Sequence, residues 1–136
     1  MSSPAEELAN YLIANGVGTR GASSGWSVNV TTEPTAPDTT VTLYDDGGGN
    51  PDTDELDIQK AIVQVRVRST KQTGYLAAFA KQEEIRDLLI IPAPLITDNS
   101  RFIGVQMIGN IANIGRDDND RHVLIATYEA EEQREE

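Results

Sequence analysis

Apolar side chains recur along this chain with two different periods, and each change of period marks a change of element. Leu8, Tyr11, Leu12 and Asn15 fall three and four positions apart, the spacing of one helix face. Ahead of them Ser3, Pro4 and Glu6 have the form of a capping box with proline in the first turn, and Gly16 supplies a permissive stop. The pattern predicts a short, one-sided helix. Gly, Thr and Ser make residues 17–25 a loop, and at residues 26–31 the period drops to two, which predicts a strand. Trp26, the single tryptophan, reads as an anchor of the core or of an interface. Pro34, Pro37 and Asp38 break the chain before a second alternating strand at residues 39–44, as expected near a turn or a sheet edge.

The longest polar interruption follows. Asp45, Asp46, three glycines, Asn50 and Pro51 lead to Asp52, Asp54, Glu55 and Asp57, so residues 45–57 read as a flexible acidic loop. Valine then alternates with polar residues over 61–68, a third strand with Val63, Val65 and Val67 on one face and Gln64, Arg66 and Arg68 on the other. Over 72–90 the period returns to that of a helix: Tyr75, Ala78, Phe79, Gln82, Ile85 and Leu89 share a face, Lys81, Glu83, Glu84 and Asp87 lie opposite, and Pro92 and Pro94 end it. Strands at 101–108 and 121–129 close the chain as a long hairpin joined by 109–120, with turn formers around Arg116 at its tip. The acidic tail, 129–136, is expected to fray.

The order helix, strand, strand, strand, helix, strand, strand implies an α+β fold: a mixed, mostly antiparallel sheet with two helices packed on one face. At 136 residues it is read as one domain. The other sheet face is left open to meet another subunit.

Composition narrows the function. Eleven Lys and Arg against 22 Asp and Glu give a net charge of −11, which argues against direct nucleic-acid sequence recognition and against an anionic-membrane partner, since phosphate binding needs clustered cations. An apolar content of 38 % and an aromatic content of 5 % are low, so part of the stability is expected from other chains. There is no cysteine, hence neither a disulfide framework nor a thiolate metal site. No basic leader or long apolar run is visible, and the chain is expected to be soluble and made in a cytoplasm.

Candidate chemistry is sparse. His122, the one histidine, stands in an apolar strand without an orienting partner and reads as a strand residue rather than a general base. Ser23, Ser24 and Ser69 sit in no nucleophile elbow, and the 47–49 glycines lack the Lys and Ser or Thr of a phosphate loop. Catalytic, cofactor and metal residues are therefore expected to be none. The acids from Asp45 to Asp57 could collect a calcium ion, although their spacing does not match a helix-loop-helix calcium site. Arg66 and Arg68 point the same way and could meet acidic loops of a neighbouring copy.

Pro37 and Asp38 ahead of Val41, Thr42, Leu43, Tyr44 and Asp45, then Gly47, Gly48 and Pro51, then the 63–68 strand leading to a helix with Tyr75, resemble the tail terminator proteins of long-tailed bacteriophages. In order of elements the resemblance runs from Leu8 to Tyr128. It implies a structural virion protein: a hexameric ring at the head-proximal end of the tail tube, stopping polymerisation and giving the head-completion or neck protein a docking surface, without covalent chemistry. The implied partners are further copies of itself, the tube protein and the neck protein. Candidate interface residues are Trp26, Asp45, Asp46, Gln64, Arg66, Arg68 and Arg116. A head–tail adaptor or stopper of the neck is the nearest alternative, and a calcium- or small-ligand-binding domain using the 45–57 loop is the alternative from another class.

Overall fold

The computed structural model describes residues 3–47, 58–71, 74–90, 95–96 and 100–134. Their elements run α1 (Pro4–Ala14), β1 (Thr19–Arg20), β2 (Ser27–Val30), β3 (Thr40–Asp45), β4 (Ile58–Ser69), α2 (Gly74–Leu89), β5 (Leu95–Ile96), β6 (Ser100–Arg116) and β7 (His122–Arg134). All seven strands form one sheet in the order β1-β2-β3-β4-β7-β6-β5. β1, β2 and β3 run parallel to one another, and the pairings from β3 through β4, β7 and β6 to β5 are antiparallel. The fold is thus α+β with a mixed, mostly antiparallel sheet.

Both helices cover one face of it. Ser3 caps α1 by accepting the Glu6 N–H at 3.2 Å, as the capping pattern implies, and Ala5, Leu8, Ala9 and Leu12 are buried beneath the helix. Full burial of each leucine contributes roughly 1.5–3 kcal/mol. Below them lie Val28, Val41, Leu43, Val63, Val65 and Val67, strand positions that share a face because directly paired residues point the same way. Ala78, Ile85 and Leu89 of α2 join the same core against Leu124, Ala126 and Tyr128. Gln82, also buried, donates to the carbonyls of Val65 (3.0 Å) and Leu124 (3.1 Å) and so ties α2 to the central pair β4 and β7.

Several expectations need correction. β1 and β5, two residues each, are pairings with no sequence pattern of their own. β6 does not end at Ile108: register shifts after Phe102, Ile108 and Asn113 keep the ladder with β7 going to Arg116, and Gly109, at φ +74, takes one of those kinks at no steric cost. Nor does the tail fray from residue 129, because β7 continues between β4 and β6 to Arg134, and Glu132 there is fully buried opposite Phe102. Tyr75, expected on the core face of α2, is 37 % exposed. Residues 48–57 of the acidic loop, Gln72, Pro92, Pro94 and the last two residues lie outside the described residues.

Candidate subunit and partner interface

The second face of the sheet carries Thr40, Thr42 and Tyr44 of β3, Gln64, Arg66 and Arg68 of β4, and Ile125, Thr127 and Glu129 of β7, the positions alternate to the buried valines. This face is not bare. β2 and β3 run parallel, so residues 31–39 must travel back the length of a strand in nine residues, a distance that an extended chain reaches easily. They cross as a strap over the open face. Thr31 opens the strap at φ +66, a conformation rare for a β-branched residue, with its N–H held by the Leu43 carbonyl at 2.9 Å.

Two buried arginines hold this strap down. Arg68, 2 % exposed, donates to Glu33 Oε1 (2.9 Å) and to the carbonyls of Pro37 (2.7 Å), Asp38 (3.2 Å) and Thr35 (3.5 Å). Arg66 pairs with the second oxygen of the same carboxylate. From the hairpin side, Arg121 donates to the Thr35 carbonyl (2.6 Å) and to Asp38 Oδ1 (3.3 Å) while its Nε is held by Asp117 Oδ2 (2.9 Å). Burial alone would raise the Asp117 carboxyl. The N–H and guanidinium of Arg121 and the N–H of Asn119 outweigh it and hold the group below the ordinary aspartate range. Tyr44 is pushed the other way, by burial first and then by the Glu33 carboxylate, against the smaller pull of Arg66 and Arg68.

The candidate residues fall in separate places. Gln64, Arg66 and Arg68 do share the strapped face, with Gln64 between Tyr44 and Thr127 across the strands. The expected role of Arg68 changes, however, since a guanidinium so buried and so fully engaged within its own chain is not free to meet a neighbour's acidic loop. Asp45 is on the helix side, where its Oδ1 accepts the Ala5 N–H at 2.9 Å and adds a second cap to α1. Asp46 is exposed at the same strand end, its N–H bonded to the Ile62 carbonyl. Trp26 is half-buried under Lys81, whose Nζ lies 4.9 Å from the ring centre and donates to the Val17 carbonyl. Arg116 sits at the far end, in the hairpin, paired with Asp120 at 3.1 Å. His122 faces the edge of the Tyr75 ring, 6.1 Å between centroids.

Sequence reasoning missed Glu33, Asp38 and Arg121. Only the four-residue spacing of Asp117 and Arg121 hints at a local pair. Between strap and hairpin tip lies an open polar cleft of about 550 Å³, lined by Thr35, Asp38, Lys71 and residues 118–121, in which Asp38, Asp118 and Asp120 stand against Lys71 and Arg121. Among the described residues no group of three or more His, Asp or Glu could hold a metal ion, and no helix is long and apolar enough to cross a membrane.

A family model described as bacteriophage tail terminator protein matches residues 11–133, nearly the whole sheet, all of α2 and the last turn of α1. The chain belongs to that family. Membership makes it a structural component of the phage virion, associated with other tail or neck proteins, and points to a role without catalysis. The fold is also similar to that of a chain in a solved virion of a native gene transfer agent particle, with a TM-score of 0.67 over 96 % of this chain and 95 % of that one at 18 % identity. No curated protein matches it by sequence.

Proposed function

We propose that this tail terminator forms a hexameric ring that caps the head-proximal end of the tail tube, stops tube polymerisation and presents the docking surface for the head-completion or neck protein. The family match across residues 11–133 carries this reading. The fold supports it physically: a cap must offer two different surfaces, so that what docks on one side cannot repeat on the other, and this sheet has one face under helices and one under a strap. Arg68, Arg66 and Arg121 fix the strap, so docking on that side need not order it first and avoids that entropic cost. The ring assembles in the host cytoplasm and remains in the virion.

Negative-stain microscopy of the purified chain, alone and mixed with tail tubes, tests the proposal. Rings on one end of each tube are expected, with tube growth halted. A lasting monomer that leaves tubes uncapped would overturn it, and binding to the portal side instead would favour a neck stopper.

A further inference from the structure

A chain with a net charge of −11 that assembles with itself must bring its copies together where carboxylates do not oppose one another. No Asp or Glu stands between Glu7 and Glu33, and none between Asp98 and Asp117. The fold sends these two stretches to opposite edges of the sheet: the first contains β1 and β2, the second all of β6. A third such stretch, between Asp57 and Glu83, holds the central strand β4 and the first half of α2.

Among the described residues both edges are also open. Among the described residues β6 meets β5 only at Arg101 and Phe102, so its outer side is unpaired from Ile103 to Arg116. Ile103, Ile108 and Ile114 on that strand are 38 to 49 % exposed, each beside one of the register shifts. At the other edge, Thr19, Gly21, Ser23, Ser24 and Gly25 are exposed, small residues that allow close approach, and the one charge there, Arg20, is already neutralised by Glu6 at 2.9 Å.

We infer that, in the ring proposed above, the β6 edge of one copy docks against the β1–β2 edge of the next. This inference rests on the ring reading. A two-fold contact of β6 with β6 is disfavoured, because the three register shifts interrupt the even backbone ladder that such pairing needs. A head-to-tail contact instead sets β6 against an edge of small residues whose one charge, Arg20, is paired with Glu6. Such a contact can also close into a ring of several copies, which an isologous contact cannot.

The test places a carboxylate on each edge: Ile108→Glu for β6 and Thr19→Glu for β1, both at exposed positions, with circular dichroism melts checking that each variant folds like the parent. In sedimentation and native mass spectrometry each variant alone is expected to lose the ring and run as a monomer. Mixed in equal amounts they should form a heterodimer and no larger species, since only one edge pair remains intact between them. Wild-type rings with variants that still assemble, or a mixture that stays monomeric, would overturn the edge assignment and leave the ring reading standing. A wild-type chain that is monomeric both alone and on tubes would overturn both.

Discussion

Glu33 and Arg68, thirty-five residues apart, meet at 2.9 Å with the guanidinium almost wholly inside the protein. Because Glu33 serves Arg66 as well, one carboxylate of the strap compensates two cations of β4. Replacing Glu33 by Ala should therefore lower the unfolding free energy by about 3 kcal/mol, the low end for breaking a buried pair, since three backbone carbonyls still accept from Arg68. Urea denaturation measures it. A loss below about 1 kcal/mol would mean that the strap is not held by this carboxylate.

Gln82 offers a second check on how the helix layer is attached. Gln82→Ala removes two hydrogen bonds to sheet carbonyls and leaves a cavity, for an expected loss of about 2–4 kcal/mol. Gln82→Met keeps the volume and removes an amide oxygen that has no partner among the described residues, so it should cost only about 1 kcal/mol. Equal urea midpoints for the two variants would contradict this assignment.

Tyr128 is fully buried in the core, and its hydroxyl has no hydrogen-bond partner among the described residues. Burial raises its pKa, with Arg86 opposing and Asp87 reinforcing more weakly. Tyr128→Phe should accordingly be neutral or stabilising by up to about 1 kcal/mol in thermal melts. A raised folded-state pKa favours the neutral phenol, so this contribution is complete below the ordinary tyrosine value near pH 10 and lost as pH climbs above it.

The Asp117 carboxylate gives a pH signature of opposite sign. Its folded pKa is lowered, so its contribution is complete above the unfolded value of about 4 and disappears as pH falls from there through the folded value. Denaturation between pH 5 and pH 2 should show wild type losing stability faster than Asp117→Asn on the acid side. Parallel curves would mean that the contacts of Asp117 with Arg121 and Asn119 do not favour its charged form.

α1 carries two caps of different origin: Ser3, next to it in sequence, and Asp45, forty residues away. Each satisfies a different N–H, so Ser3→Ala and Asp45→Ala should each cost about 1 kcal/mol and the double variant about their sum. A double-variant cycle read by chemical denaturation checks the additivity.

Apart from the two-residue strands β1 and β5, sequence alone determined the kinds of element and their order, because helix and strand periods, the Ser3 cap and the glycine stop depend on neighbours a few positions away. It set the valine face of β4 against Gln64, Arg66 and Arg68 for the same reason, and it carried the resemblance to the family that the chain proves to join. What those arginines do was decided only in three dimensions. Nothing near Arg68 in the chain announces Glu33, and nothing near Arg121 announces Thr35, eighty-six residues away. Nor could the acidic end reveal that it is a strand, since its order comes from hydrogen bonds to β4 and β6 on either side. Local pattern fixes what a segment can become, whereas long-range pairing fixes which of its charges are buried, matched or left for a partner.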